Sequence, residues 1–433
     1  MSAFFRSLRA RKLRVSHWLG PVLLSVGSCL PTLSVAAESQ LTLRDAIQAA
    51  LARNPELATF EFDIRVNDAQ RRQANLKPAP EIGFSLENFA GMGEVKGFDA
   101  AEATLSLSQV IELGGKRNAR LAVNDAGRNE LTIARQAAQL DVVAEVTRRF
   151  IAVAEGQEKV RLAQRAVELA VSTARGANER VEAAKAPHVE LDRARVAEQR
   201  SRVELQSART GLDAARRSLA AMWASDDSSL NGQPIGEVQG RLGNLPAPGE
   251  FGPLVTRLTA SPDFLRFASE ERLRDAELRL AATQKRADLT VGGGVRRLQL
   301  GHDFALVASV SIPLFAGRRS EGVIAEAAAR RDALGVEREA AMIKAKADLY
   351  ALYRQLQDAV AIVQQLESTT IPTMEEALQE TQYAFERGRY SYLELVDAQR
   401  EYLAVQSERI DASTLAQLLA IEIERLTNAP LAP

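Results

Sequence analysis

Few residues in this chain have types and spacings that could do chemistry. Gly114-Gly115-Lys116 offers flexible backbone amides beside a lysine, the ingredients of a phosphate-binding loop. The spacing such a loop requires, Gly-x-x-x-x-Gly-Lys-Ser/Thr, is absent, so the tripeptide reads as a hinge. The single cysteine, Cys29, excludes a disulfide framework and a cysteine-based metal site. Of three histidines, His17 lies in the N-terminal leader, which leaves His188 and His302. Two scattered imidazoles are too little for histidine catalysis or zinc ligation. No nucleophile–base pair and no ligand cluster emerges, so neither an enzyme nor a cofactor or metal site is expected. A pair of acids remains. Glu394 and Asp397 are three residues apart, which on a helix places both carboxylates on one face.

The elements that must position these residues follow from composition and repetition. A chain of 433 residues would ordinarily make two or three compact domains. Aromatics at 5%, charged residues at 26% and alanine in nearly every segment suit long, closely packed helices instead. Arg6, Arg9, Arg11, Lys12 and Arg14 precede the apolar "WLGPVLLSVGSCLPTLSVAA", the layout of a secretory signal peptide with cleavage after Ala37. A second option is that Val26-Gly27-Ser28-Cys29 is a lipobox, which would leave Cys29 as an acylated N-terminus. Without its five basic residues the formal charge moves from −1 to −6, and nothing marks a nucleic-acid binder. Past the leader no apolar run reaches the ~18 residues of a spanning helix. Any crossing of a membrane must be made by strands.

The chain repeats itself. "LARNPELATFEFDIRVNDAQ" from Leu51 resembles "LTASPDFLRFASEERLRDAE" from Leu258, and "HVELDRARVAEQRSRVELQSA" at His188 resembles "YLELVDAQREYLAVQSERIDA" at Tyr392. Two copies at so long a period indicate a duplicated domain half. The expected organisation is a leader over 1–37, a first repeat over 38–224, an irregular Gly- and Pro-rich link over 225–252, a second repeat over 253–428 and a tail over 429–433. Each repeat begins with a helix, near Leu43 or Leu254, that turns a corner where Pro55 or Pro262 follows the N-caps Asn54 or Ser261. Two segments of alternating hydrophobicity come next: "EIGFSLENF" and "ATLSLSQVIEL", then "LTVGGGVRRLQL" and "FALVASVSIPLF". Period two makes these strands with one apolar and one polar face. Long rods follow, Lys116 to Lys185 and Arg319 to Arg387, the second eased by Gly335 and Pro372. Return helices complete each repeat, Val189 to Trp223 and Leu393 to Thr427. Gly114 and Gly115, and Gly317 in the second copy, are the expected strand-to-helix hinges.

Four strands with a lipid-facing side cannot stand alone, because open edges leave backbone groups unpaired where no water reaches. Barrels in bacterial outer membranes need about eight strands or more. Sister chains must therefore pool their strands.

"LSQVIELGGKR", "VSIPLF" and "FERGRYSYLELVDAQREYL", together with the duplication, resemble TolC-like outer-membrane factors, most closely the CzcC-type branch that serves heavy-metal efflux. The resemblance runs from about Leu41 to Asn428. It implies a mostly helical fold with a small β part: a homotrimer with a twelve-stranded barrel in outer-membrane lipid and a helical tunnel through the periplasm. It also implies two partners, a periplasmic adaptor and a proton-driven inner-membrane pump of the resistance–nodulation–division type. By the same resemblance, Glu394 and Asp397 match an acidic ring at the periplasmic entrance. The adaptor-facing residues would be Gly388, Arg389 and Leu393 at one tip, with Lys185, Pro187 and Leu191 at the other. Where the best-known members lock their gate with Tyr and Arg, this chain has Phe385 and Tyr390, leaving Arg387 or Arg389 as substitutes. The implied cargo is divalent heavy-metal cations, of the Co/Zn/Cd/Ni or Cu/Ag class. Alternatives are the same duct serving drugs or type I protein secretion, and, from another class, a periplasmic coiled-coil adaptor or scaffold. That last option would lack the paired strands.

Overall fold

The computed structural model describes residues 40–430 apart from 94, 95, 241 and 248. The leader, its cleavage after Ala37, the lipid option at Cys29 and the last three residues lie outside the described residues. The order of elements is α1 (Leu43–Arg53), α2 (Pro55–Ala74), β1 (Glu81–Glu87), β2 (Glu102–Ile111), α3 (Lys116–Glu182) and α4 (His188–Ala220). A short hairpin, β3 (Ser229–Leu230) and β4 (Gln233–Pro234), stands in the link. The same order then recurs in α5 (Phe251–Thr259), α6 (Pro262–Thr283), β5 (Leu289–Leu298), β6 (Asp303–Ser311), α7 (Ala316–Arg319), α8 (Glu321–Gln365), α9 (Ile371–Glu386) and α10 (Tyr392–Thr427). Among the described residues no helix is long and apolar enough to cross a membrane.

The corners behave differently in the two halves. Asn54 Oδ1 accepts from the Glu56 amide at 2.9 Å, and its Nδ2 donates to the Met222 carbonyl at 3.1 Å. Ser261 has the N-cap backbone conformation, yet its hydroxyl makes no capping bond and is buried without a partner. Proline at the first turn makes the corner in both cases, with or without the side-chain cap.

The four long strands form one antiparallel sheet in the order β1-β2-β5-β6, so the two halves meet at β2–β5. Register and the period of two sort its faces. One face carries the rows Ile82–Leu107–Gly293–Ala308, Phe84–Leu105–Val295–Leu306 and Leu86–Ala103–Arg297–Phe304. The opposite face carries Ser85–Thr104–Arg296–Ala305 and Gly83–Ser106–Gly294–Val307. Arg296 ties three strands there, donating to Glu102 at 2.6 Å and Thr104 Oγ1 at 3.0 Å and pairing with Glu87 at 3.2 Å. Among the described residues the apolar face has no partner: Ile82, Phe84, Leu105, Leu306 and Val310 are all exposed.

α3 runs unbroken for 67 residues, about 100 Å at ~1.5 Å per residue. Gly176 does not interrupt it. Gly335 likewise lies inside α8 without a break. In the second rod, Leu366–Thr370 form a π turn just ahead of α9, whose first turn holds Pro372. Proline lacks the amide an α-helix needs and its ring crowds the carbonyl one turn back, and the wider turn absorbs both.

At the strand-to-rod junctions Gly114 and Gly115 adopt φ of +78° and +76°. The second copy overturns the expectation for Gly317. It sits within α7, and the left-handed residue is Phe315, with φ +62°. Strand ends at Ile111 and Ser311 are 200 residues apart, and so are helix starts at Lys116 and Ala316. The turn therefore falls at a fixed distance from the strand, whichever residue occupies it.

Burial concentrates in three places along the rods. Val146, Phe150 and Val153 of α3 pack with Leu219, Trp223, Ile235 and Leu242 at the link. Leu254, Phe264, Leu349, Leu356 and Ile423 join α5, α6, α8 and α10. Leu169, Ala177, Ala194, Leu378, Phe385, Tyr392 and Leu395 bind α3, α4, α9 and α10 near their turning ends.

Candidate functional site at the helical tips

Both rods end in the same backbone motif. After α9 the amide of Gly388 donates to Phe385 O and that of Arg389 to Ala384 O, each at 2.9 Å, with Gly388 at φ +71°. After α3 the amides of Ala184 and Lys185 bond Val181 O and Arg180 O at 3.0 and 2.8 Å, with Ala184 at φ +53°. These are paired Schellman turns, which satisfy the last helical carbonyls through one left-handed residue. The tips touch. Arg180 donates to the Tyr390 carbonyl at 3.3 Å and lies over the Phe385 ring at 4.6 Å. Its Nε is buried without a partner. Arg387 stacks on Tyr383 at 4.2 Å, within its own helix end.

Glu394 and Asp397 are both exposed on the first turns of α10. Glu394 has a further task. Its carboxylate accepts from the Ser391 amide at 2.6 Å while Ser391 Oγ accepts from the Glu394 amide at 3.3 Å. This reciprocal capping box satisfies two otherwise orphaned helix-end amides. The Ser391 amide and then its hydroxyl hold the Glu394 carboxyl below the usual carboxylate range. Asp397 pairs with Arg400 at 3.5 Å, both well exposed. The expected acid pair is thus accompanied by a cation one turn on.

Of the other tip residues, Lys185, Pro187, Gly388 and Arg389 are exposed, and Leu393 is 63% exposed. Leu191 corrects the docking expectation. At 4% exposure it is a packing residue, because its position one turn into α4 turns inward beside Ala194. His188 is exposed at the start of α4, and the described residues contain no group of three or more His, Cys, Asp or Glu able to hold a metal. Beside the tips, α3, α4 and α10 enclose an open groove of about 1010 Å³ lined by Leu162, Ala166, Val196, Val396 and Leu403. Sequence reasoning missed Ser391, whose Ser-x-x-Glu spacing is the standard signature of a capping box, and Arg180, which carries no local signal.

An unbroken rod, an edge-open sheet with a bare apolar face and paired helical tips define a chain built to line a membrane duct. The family described as outer membrane efflux protein matches residues 46–225. A nickel and cobalt resistance protein, CnrC, of Cupriavidus metallidurans is 32% identical over 342 residues, 76% of this chain and 76% of that protein. The cobalt-zinc-cadmium resistance protein CzcC of the same organism is 29% identical over 395 residues, 89% of this chain and 91% of that one. The crystal structure of the CmeC outer membrane channel of Campylobacter jejuni matches with a TM-score of 0.70 over 90% of this chain and 86% of that chain. Its 14% identity speaks for the fold alone. The chain belongs to the outer membrane efflux protein family. It is a transport component of the outer membrane that extends into the periplasm.

Proposed function

We propose that three copies of this chain close into one duct that carries divalent heavy-metal cations out across the outer membrane. The sheet carries the reading. Among the described residues its apolar face is bare and its edges, β1 and β6, have no partner strand. Joining β6 of one copy to β1 of the next satisfies those edges where water cannot. Three copies then supply twelve strands, above the barrel minimum of about eight.

The helices nearest the sheet support the same seam. Asp68 of α2 bonds Arg128 of α3, Glu130 of α3 lies beside Arg274 of α6, and Asp275 of α6 pairs with Arg331 of α8 at 3.2 Å. Phe62 and Val336 each stand a turn or so beyond that level on the side away from the sheet. They are 61% and 70% exposed on the two outermost helices. A closed ring buries one against the other.

The cargo follows from the relatives, whose names give cobalt, zinc, cadmium and nickel resistance. A periplasmic adaptor fits the exposed tips at Gly388, Arg389, Leu393, Lys185 and Pro187, and hands on cations from an inner-membrane pump. Glu394 and Asp397 narrow the entrance. With Arg400 beside them each copy contributes one net negative charge, so three copies favour cations at the constriction. The two repeats are read as the product of a duplication.

Planar-bilayer recording tests the entrance: Glu394→Gln with Asp397→Asn should lower cation preference, and unchanged selectivity rejects the ring. Gene deletion tests the cargo. Sensitivity to cobalt, zinc, cadmium or nickel supports it, whereas sensitivity to drugs alone assigns another.

A further inference from the structure

Arg297 is out of keeping with its surroundings. It is the penultimate residue of β5 and lies on the apolar face of the sheet, exposed, in the row Leu86–Ala103–Arg297–Phe304. The next row is wholly apolar, Phe84–Leu105–Val295–Leu306. Its neighbour Arg296 points to the polar face and is fully engaged with Glu87, Glu102 and Thr104. Among the described residues the Arg297 side chain has no ion pair or hydrogen-bond partner.

Depth decides what such a cation meets. The helices leave the sheet at Ile111 and Leu289, so that end faces the periplasm and Arg297 lies at the other. Eight residues separate Leu289 from Arg297, about 26 Å along a strand. A tilt of roughly 40° projects this to about 20 Å of depth, close to the full apolar band of an outer-membrane barrel. The guanidinium thus stands at the outer rim of the hydrocarbon, with Phe304 beside it. At that level the available anions are lipid phosphates, and a guanidinium matches a phosphate with two parallel donors.

We infer that Arg297 is a lipid-phosphate site, which holds an anionic lipid of the outer leaflet against β5 and β6. Acyl chains lie over Val295, Phe304 and Leu306, and the phosphate sits on the guanidinium. The assignment rests on the membrane-duct reading, and the test separates the two.

The full chain, purified in neutral detergent, is titrated with diphosphorylated lipid A, and retained lipid per chain is counted by native mass spectrometry. Arg297→Gln should retain about fivefold less than the wild type, the value of one basic residue at an anionic membrane surface. Arg297→Lys should recover part of the difference. Arg296→Gln, facing the other way, should leave lipid retention per folded chain unchanged. Lipid A stripped of its phosphates should bind the wild type and Arg297→Gln alike. Equal retention of the phosphorylated lipid by the wild type and Arg297→Gln overturns the site and leaves the duct standing. Displacement of lipid from the wild type by inorganic phosphate alone also overturns it, by making the site one for free anions. Retention of no lipid of any kind by the wild type would instead bring down the membrane-facing surface itself.

Discussion

The two Schellman turns set up an internal comparison. Gly388 and Ala184 occupy equivalent left-handed positions, at φ +71° and +53°. An L-residue there costs roughly 1–2 kcal/mol, and glycine avoids this while losing about 0.5–1 kcal/mol of chain entropy on folding. A Cβ added at Gly388 meets nothing within 4 Å, so Gly388→Ala costs the backbone term alone, about 1 kcal/mol. Ala184→Gly should stabilise its turn by about 0.5–1 kcal/mol. The readout is hydrogen exchange by mass spectrometry on peptides covering 178–190 and 382–394, with a peptide from β2 as reference. About 1 kcal/mol is roughly a fivefold change in the opening equilibrium. Exchange at the α9–α10 tip should accelerate about fivefold in Gly388→Ala, and slow by two- to fivefold at the α3–α4 tip in Ala184→Gly. Unchanged exchange in both, or a shift in the same direction, would refute the reasoning.

Other outcomes follow from the same geometry. Val336→Asp places a charge in the proposed seam and should convert the assembled species to lower oligomers by sedimentation in detergent, while helical circular dichroism is kept. Glu394 is held below the ordinary carboxylate value by Ser391, so its capping contribution is present above about pH 4.3 and is lost as pH falls through the lower folded value. Tip protection should drop in that acid window in the wild type and stay flat in Glu394→Gln, which keeps a capping oxygen without titrating. Gly114→Ala should reduce assembled yield more than Gly115→Ala. At Gly114 the new Cβ falls 3.0 Å from Arg286 Cδ and 3.3 Å from Thr283 O, while at Gly115 it meets nothing.

Much of the fold was legible because its signals are local. Alternation marked all four strands to within a few residues, and Pro55, Pro262 and Pro187 marked corners and the tip. Where a feature depended on partners, the residue types misled. Gly317 suggested a hinge, yet the turn is set by distance from β6 and falls on Phe315. Ser261 looked like a cap, but its corner needs only the proline. Leu191 suggested a docking tip, with an inter-helix packing position as the alternative, and helix-on-helix packing buries it. At the candidate site the acid pair was visible as a spacing. The capping role of Glu394 at the start of α10 is equally local, since Ser391 stands three residues before it. Arg180 is 210 residues from Tyr390, and only the fold brings them together.

The pairing of β2 with β5 dictates an order of events during export. The central hydrogen-bonded ladder of the sheet joins residues 102–111 to residues 289–298, so no nascent chain can begin it until two thirds of the polypeptide has emerged. The buried clusters, by contrast, sit in the helices and the link, outside the four long strands. A subunit can therefore reach the membrane as a preformed helical body whose strands are still searching for neighbours. In the proposed trimer, insertion into lipid then becomes a collective act of several chains, completed only when the last open edge finds its mate.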